Sequence, residues 1–365
     1  QRSSGVSEGI ELMSGLYVHG GSNDENLFLI DGTPLYQVNH SLGLFSSFNS
    51  DMIKNVDFYK SGFPARYGGR LSSVIDVRTR DGDFNHFHGS FRIGLLDGSL
   101  QFEGPIRKGR TSYNIGLRRS WLDLLTRPIF AIHNKKNDKN DDDITLNYFF
   151  HDFNAKVTNI FSDRSRLSLS VYSGEDRIHT KDELKDDDIN ETELNEFNMN
   201  WGNLNAALNW EYVFSPKLFA NFTAVYTHNV SKYKFLYDQR VVSRSGPHAG
   251  ETSVTYMEYG YRSTIDDLGY RLAFDYRPSP RHHIRFGQDY TFHMFHPQTR
   301  QHKNYYGTGT AVDSLDRKSS YRNNANEWNV YAEDEVTLNK HWSFNMGLNV
   351  TMFSITGKWF VNADP

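Results

Sequence analysis

From about residue 87 to the end of the chain, apolar and polar residues alternate in one segment after another. The clearest case is 342–352, where every even position is apolar and every odd position is small or polar. Successive side chains of a β-strand point to opposite faces, so this period of two predicts a strand with one apolar and one polar face. The apolar positions are Trp342, Phe344, Met346, Leu348, Val350 and Met352.

The same alternation recurs at 167–171, 204–212, 268–276 and 283–292. We therefore predict about eleven strands in this part of the chain. Their expected bounds are roughly 87–95, 99–105, 111–119, 147–160, 165–178, 198–213, 217–231, 255–276, 282–295, 326–338 and 341–354.

The connections between these strands fall into two length classes. Short ones at 106–110, 161–166, 214–217, 277–281 and 339–341 alternate with long polar ones at 120–146, 173–198, 232–262 and 296–325. Short turns on one side and long loops on the other are typical of an outer-membrane β-barrel. Single-chain bacterial barrels have an even number of strands and no open edge. Because nothing in 355–365 resembles a closing strand, we expect the chain to form part of a larger barrel.

The N-terminal residues have a different character. They predict short strands at 15–19, 26–31 and 73–78, a short helix and strand at 50–58, and a tight turn at Asp31-Gly32 followed by Pro34. We therefore expect a small α+β domain at 1–84 and an all-β domain at 85–365.

Composition narrows the classes of function. The chain has no cysteine, which excludes disulfide frameworks, thiolate metal sites and thiol nucleophiles. A net charge of −4 does not indicate a nucleic-acid binder, and 15% aromatic residues argue against disorder. The chain contains no run of eighteen apolar residues, so the sequence does not predict a transmembrane helix. Because no nucleophile, metalloprotease or P-loop motif occurs, we predict that the protein is not an enzyme.

Two groups of turn and strand residues in the N-terminal domain carry a family resemblance. The first is Val18-His19-Gly20-Gly21 followed by Leu29-Ile30-Asp31-Gly32-Thr33-Pro34, and the second runs from Ile53 to Val77. Both resemble the plug domain of TonB-dependent outer-membrane receptors. Arg70-Leu71-Ser72-Ser73 looks like the variant found in members with an N-terminal carboxypeptidase-type regulatory domain. The plug-motif residues are Asp31, Gly32, Pro34, Tyr67, Gly68, Gly69 and Arg70.

This resemblance implies an all-β membrane protein. About 11 of about 22 strands of an antiparallel transmembrane β-barrel would follow part of a small α+β plug, and the chain would be a fragment. The implied function is energised uptake of a scarce nutrient (a siderophore, haem, vitamin, oligosaccharide or peptide) through the bacterial outer membrane. The implied partners are a periplasmic TonB-type energy-transducing protein, outer-membrane lipid and lipopolysaccharide, a small ligand and, in some members, a surface lipoprotein. No nucleic acid and no cofactor are implied.

The resemblance also points to site residues. In the family, two plug arginines pair with barrel glutamates, and the matching positions here are His19 and Lys60. A histidine in such a lock would make it pH-sensitive, since histidine titrates near neutrality. The plug loops that contact ligand in the family correspond to two polar loops of this chain. The alternative interpretation is that these loops are simply solvated. The candidate ligand residues are Ser22, Asn23, Asp24, Tyr36, Gln37, Asn39 and His40.

Other features carry weaker signals. His293, His296 and His302 lie near one long loop and are a weak candidate for a metal or haem site. Aromatic residues near strand ends, such as Trp201, Trp210 and Trp342, fit interfacial girdles.

Three alternatives to an energised transporter stay open at this point. One is a passive outer-membrane channel with an N-terminal hatch, and another is a non-transporting receptor-like subunit of an outer-membrane assembly. The third is a soluble all-β binding protein. The plug-like motifs favour the transporter over the passive channel.

Overall fold

The computed structural model describes residues 26–36, 39–40, 45–46, 48–60, 73–136, 142–187, 190–307, 313–355 and 358–364. The N-terminal part contains short strands, which are β1 (Asn26–Ile30), β2 (Thr33–Pro34), β3 (Asn39–His40), β4 (Phe45–Ser46), β5 (Ile53–Lys60) and β6 (Ser73–Thr79). Four of them form a small sheet in the order β2-β1-β6-β5, in which only β1 and β6 are parallel. A single 3-10 turn, Ser50–Met52, leads into β5, with the Asn49 side chain accepting from the amide of Asp51.

The small sheet is apolar on both faces because β1 and β6 carry consecutive apolar residues. On one face Phe28, Ile30, Ile75 and Val77 pack together with Tyr172 from the large sheet. On the other face Leu29 and Val74 are fully buried. A sheet buried on both faces needs a cover on each side, which here includes the wall of the large sheet.

The large sheet has thirteen antiparallel strands, with one helix in a connection. The elements are β7 (His88–Ile93), β8 (Asp97–Arg107), β9 (Thr111–Ser120), α1 (Leu122–Lys136), β10 (Asp142–Ser162), β11 (Ser165–Asp186), β12 (Glu191–Ser215), β13 (Leu218–Val242), β14 (Thr252–Ser279), β15 (His282–Tyr306), β16 (Asp313–Ser320), β17 (Asn323–Thr337), β18 (Ser343–Ile355) and β19 (Lys358–Asp364). Neighbours in sequence are neighbours in the sheet, except that β15 pairs with both β16 and β17. We call this curved sheet the barrel wall.

The eleven predicted strands all occur, but two expectations about the wall were wrong. Residues 358–364 form a further strand, β19, which pairs with β18 and which the sequence pattern did not indicate. The predicted long loops at 173–198, 232–262 and 296–325 are largely strand, and the 120–146 connection contains α1. Above the membrane both faces of a strand meet water, so alternation disappears while the backbone ladder continues.

The two faces of the wall differ in polarity as predicted. Outward-facing apolar side chains such as Leu208, Trp210 and Leu268 are 45%, 41% and 58% exposed. Inward-facing polar side chains such as Asn114 and Thr158 are fully buried, and they contact Arg80 and Asp81 in the connection that follows the small sheet. This arrangement matches an apolar outside for lipid and a polar inside. Trp201, predicted for the girdle, lies instead on the inward side and is 3% exposed.

No helix in the described part of the chain has both the length and the apolarity to cross a bilayer.

The small sheet ends at Thr79 and the wall begins at His88. The domain boundary between residues 84 and 85 stays a prediction.

Candidate functional site

The Asp31-Gly32 turn joins β1 to β2 and lies against the wall. Both residues have positive φ, 48° for Asp31 and 85° for Gly32, which Gly and Asp tolerate better than other residues. Asp31 accepts hydrogen bonds from the backbone amide and hydroxyl of Thr79, at 2.9 and 2.5 Å. The carboxylate therefore ties the turn to the end of β6, 48 residues further along the chain.

Two wall residues hold the next part of this turn. The Asn205 amide donates to the Pro34 carbonyl at 2.6 Å and to the Thr33 hydroxyl at 3.0 Å. The Thr227 hydroxyl donates to the same Pro34 carbonyl at 3.1 Å. Asn205 and Thr227 lie directly opposite each other on β12 and β13, so one row of the wall binds the turn. Of the predicted plug-motif residues, Asp31, Gly32 and Pro34 thus lie at the contact.

Just beyond the turn, Tyr36 enters a charged cluster on the wall. Its hydroxyl donates to Asp267, which also accepts from His293 Nδ1 at 2.6 Å. The other ring nitrogen of His293 faces Glu327 at 3.2 Å. Because carboxylate oxygens only accept, an imidazolium ring that donates from both nitrogens satisfies this arrangement. The cluster joins the small sheet to β14, β15 and β17.

A second charged cluster holds the connection that follows β6. Arg80 donates to Glu103 of β8 at 2.5 Å and to the Asp51 carbonyl at 3.0 Å. Asp81 contacts Lys156 at 3.0 Å and Arg166 at 3.5 Å. Burial raises the pKa of Asp81, but these two cations and a hydrogen bond from Thr158 outweigh it and lower the pKa below its usual value.

The same connection is stiffened by Asp83. Its side chain accepts from the backbone amides of Asn85 and His86, at 2.7 and 2.9 Å, and contacts His88. These bonds, the backbone ones first, lower the pKa of Asp83 to about 2. The only sequence signal for this region was the turn-like run Arg80-Asp81-Gly82-Asp83 after a buried strand. Sequence reasoning therefore missed the Arg80–Glu103 and Asp81–Lys156 contacts.

A cavity of about 210 Å³ separates the small sheet from the wall. The small sheet contributes Asp57, Asp76 and Arg78, and the wall contributes Arg271 and Asp289, among others. Arg78 contacts Asp76 at 2.8 Å. A cavity lined by so many charges suits water or a polar solute rather than an apolar ligand.

The three histidines predicted as a weak metal site do not meet. His293 faces inward, whereas His296 and His302 occupy alternate positions that face outward, some 20 Å apart along β15. His296 contacts the Ser320 hydroxyl at 2.8 Å, and His302 packs edge-on against Tyr256. Within the described ranges, no three histidine, aspartate or glutamate residues are grouped to hold a metal ion.

Several other predicted residues cannot be placed at this contact. His19, Ser22, Asn23, Asp24, Gln37, Tyr67, Gly68, Gly69 and Arg70 lie outside the described residues. The structure describes the backbone of three more, with Asn39 and His40 in β3 and Lys60 at the end of β5. The lock at His19 and Lys60 and the ligand role of the two loops stay predictions.

Comparison with known proteins agrees with this geometry. Residues 1–74 match the family model described as TonB-dependent Receptor Plug Domain. The structure of the siderophore receptor PiuA from Acinetobacter baumannii matches with a TM-score of 0.56 and 13% identity, covering 99% of this chain and 56% of that one. The ferripyoverdine receptor of Pseudomonas aeruginosa matches with 0.58 and 12%, covering 96% and 48%.

The RagAB peptide importer in its open-open state also matches, with a TM-score of 0.58 and 9% identity, covering 96% of this chain and 51% of that one. No curated protein sequence matches the chain. The chain spans about half the length of each of these solved structures. At such low identity the likeness concerns the fold, and it includes both the small sheet and the wall.

A small sheet held against the polar inner face of an antiparallel wall, with an apolar outer face, defines a plugged β-barrel of the bacterial outer membrane. The match of residues 1–74 identifies the small sheet as part of a plug. Residues 1–74 match the TonB-dependent receptor plug domain, and the chain as a whole shares the plug-and-barrel fold of the solved outer-membrane receptors.

Proposed function

We propose that the protein takes up a scarce nutrient through the outer membrane, driven by a TonB-type protein in the periplasm. The observation that carries the proposal is the attachment of the plug to the wall by separate polar contacts: the Asn205 and Thr227 bonds to Pro34, and two charged clusters. The Tyr36–Asp267–His293 cluster lies just beyond the Asp31-Gly32 turn, and the Arg80–Glu103 pair lies at the plug's last strand. The described contacts between plug and wall are mostly hydrogen bonds and ion pairs. Each contributes about 1 kcal/mol, so an energy-transducing partner could release the plug by supplying a few kcal/mol of free energy.

Ligand binding would be coupled to the plug through the first cluster. Tyr36 belongs to a predicted apical loop and contacts Asp267, so a ligand that engages this loop competes with the wall for the same side chain. Since a ligand shifts an equilibrium only by its differential affinity, this shared residue is what the proposal requires. The substrate class follows only by analogy with receptors that bind siderophores or import peptides.

The absence of cysteine from these 365 residues allows a sharp test. Replacing Thr33→Cys and Asn205→Cys, whose side chains are in contact, would tether the plug to the wall. A matched pair, Thr111→Cys and Asn159→Cys, whose side chains contact at 2.7 Å across β9 and β10, would tether the wall only to itself. The assay is uptake of radiolabelled ferric siderophores and short peptides by cells expressing the intact protein.

We expect uptake to stop when the plug is tethered, to return with a reductant, and to be unchanged in the wall-only pair. A proton uncoupler should also abolish uptake. Uptake that persists in the tethered protein or under the uncoupler would instead fit a passive plugged channel. A protein that binds one of these solutes without importing it would fit a non-transporting receptor-like subunit.

The partners follow from the same proposal. A TonB-type protein would bind the periplasmic side of the plug, and a small ligand would bind from outside. The RagAB match supports asking whether a surface lipoprotein also takes part. Co-purification of the intact protein from membranes after mild crosslinking would identify such a lipoprotein.

A further inference from the structure

The inner face of the wall changes character beyond the plug, toward the long connections. On β12, β13 and β14 the inward residues that meet the plug are polar, whereas those further along are mostly aromatic. Strand pairing sets nine of these inward positions in three rows of three. The rows are Met199-Tyr233-Tyr261, Phe197-Phe235-Tyr259 and Asn195-Tyr237-Met257. We call these nine positions the inner aromatic surface.

The register fixes the face on which these side chains lie. Asn205, Thr227 and Asp267 contact the plug from odd positions of β12, β13 and β14. The pairing of these three strands has no register shift between those residues and the three rows. Because side chains alternate along a strand, the odd positions of the rows also face the interior.

The inner aromatic surface lies well beyond the contact with the plug. Tyr233 comes six positions after Thr227, and Tyr261 comes six positions before Asp267. At about 3.3 Å per residue, the first row is about 20 Å along the strands from that contact. Long connections mark the extracellular side of an outer-membrane barrel, so the surface lines its outer mouth.

Neither lipid nor the described plug residues account for these aromatic side chains. Lipid meets the opposite face of the wall, and Phe235 and Tyr259 are each 38% exposed. The Tyr233 ring stacks on Tyr261 with the ring centroids 5.3 Å apart, and its centroid is 5.9 Å from that of Tyr259. The rings therefore form one continuous patch. A contiguous exposed apolar patch of this kind marks a binding surface.

The inner aromatic surface itself is uncharged. Its nine positions hold six aromatic side chains, two methionines and one asparagine. On the adjoining strands Thr180, Thr299 and Gln301 stand beside the first two rows and offer neutral donors and acceptors. Asp182 and Lys303 stand at opposite ends of the third row. A charged ligand would therefore find no counter-charge beside the first two rows.

We propose that the inner aromatic surface binds a neutral linear oligosaccharide. This assignment of the substrate class rests on the proposed function, in which the oligosaccharide would be the nutrient. One face of a sugar ring presents C–H groups that pack on an aromatic ring, and its hydroxyl groups bond to neutral donors and acceptors.

The dimensions and the charge both favour this occupant. Three strands about 4.8 Å apart and three rows about 6.6 Å apart give a surface of about 10 by 13 Å, which suits a chain of rings rather than one ring. An anionic metal chelate or a peptide with charged termini would bury charges that the first two rows leave unpaired.

The test uses the intact protein purified in a polyoxyethylene detergent, because a maltoside detergent would itself present a sugar. Isothermal titration calorimetry measures binding of neutral linear hexasaccharides of glucose, mannose and xylose. A ferric tris-catecholate siderophore and a hexapeptide are the comparison probes. Tyr233→Ala with Tyr259→Ala removes two rings from the surface. The control, Tyr256→Ala with Tyr306→Ala, removes two rings from outward positions of β14 and β15.

We expect at least one hexasaccharide to bind, and the loss of two ring contacts to weaken its binding roughly 30-fold. The control should bind like the wild type. Failure of every hexasaccharide to bind, or an equal loss in the control, would overturn the proposal. Tighter binding of the siderophore or the hexapeptide, lost in the Tyr233 and Tyr259 variant, would overturn the sugar assignment. Should that variant fail to fold, Tyr233→Leu with Tyr259→Leu keeps apolar side chains without the rings and must show the same loss.

Binding in detergent requires neither a TonB-type protein nor a proton gradient, which separates this proposal from the proposed function. The tethering assay is repeated with the hexasaccharide that binds. Binding without energised uptake would contradict the proposed function and leave the sugar site intact. Energised uptake of a siderophore or peptide by a protein that binds no hexasaccharide would do the reverse.

Discussion

The attachment of the plug to the wall depends most directly on one buried amide, that of Asn205. Its side chain is 2% exposed and donates to the Pro34 carbonyl and to the Thr33 hydroxyl. Asn205→Leu keeps a similar volume but removes both donors. The Pro34 carbonyl keeps the Thr227 bond, whereas the Thr33 hydroxyl still donates to the Ile30 carbonyl.

The magnitude follows from these bonds. Two hydrogen bonds contribute about 1 kcal/mol each, and poorly satisfied buried acceptors add to the loss, so plug docking should weaken by about 2–3 kcal/mol. A loss of this size raises local opening about 30- to 150-fold. Barrel strands not in contact with the plug should be unaffected, because their ladders do not involve Asn205.

Hydrogen exchange read by mass spectrometry measures this opening. The reporters are amides at the turn whose hydrogen-bond partners lie in the small sheet, such as Leu35 bonded to Phe28 and Asp31 bonded to Val77. Asn209→Leu is the matched control, since Asn209 lies on the same face of β12 but donates only to Asn221 and Thr223 of β13. Plug exchange that is unchanged in Asn205→Leu, or equally raised in Asn209→Leu, would refute the reasoning.

Three further predictions concern the same contact. Gly32→Ala places a Cβ at φ 85°, which should cost the plug about 1–2 kcal/mol and speed exchange at Asp31 and Leu35 without changing the barrel strands. Arg80→Gln leaves Glu103, which is 7% exposed, without its cation; since the Arg80 side chain is 40% exposed, we expect a loss of only about 1 kcal/mol, seen as faster proteolysis of the 80–87 connection. The pKa of Asp81 is lower in the folded protein than in the unfolded chain, so its contribution is present above pH about 4 and is lost as the pH falls below that value. Asp81→Asn should therefore flatten the acid limb of plug unfolding between pH 5 and 2, whereas Asp163→Asn at an exposed short turn should leave it unchanged.

The alternation of apolar and polar residues predicted a strand only where the two faces of that strand differ in polarity. At 342–352 one face meets lipid, so strict alternation located β18 to within two residues. In 296–306 the strand continues with mostly polar residues on both faces, and in 232–242 apolar and polar residues are mixed on both faces, so neither segment alternates along its whole length and the same reasoning predicted loops. The backbone ladder that extends these strands involves groups common to every residue, which no side-chain pattern records.

The candidate site separates in the same way. Asp31, Gly32 and Pro34 stand out because a tight turn with positive φ requires particular residue types within a few positions. Their partners do not stand out, because Asn205, Thr227 and Asp267 are ordinary inward-facing polar residues of long strands. Tyr36 and Asp267 are 231 residues apart, and any one of many inward carboxylates would have fitted the pattern equally well.

The sequence by itself determined the strand period, the polarity of each face, the sharp turn of the plug and, through its motifs, the resemblance to a plug domain. Each of these properties depends on neighbours within a few residues, where covalent geometry links residue type to conformation. Only the tertiary structure decided which wall residues bind the plug and that Trp201 faces inward. Those relations depend on register and curvature across strands far apart in the chain, and they arise only when the whole sheet has assembled.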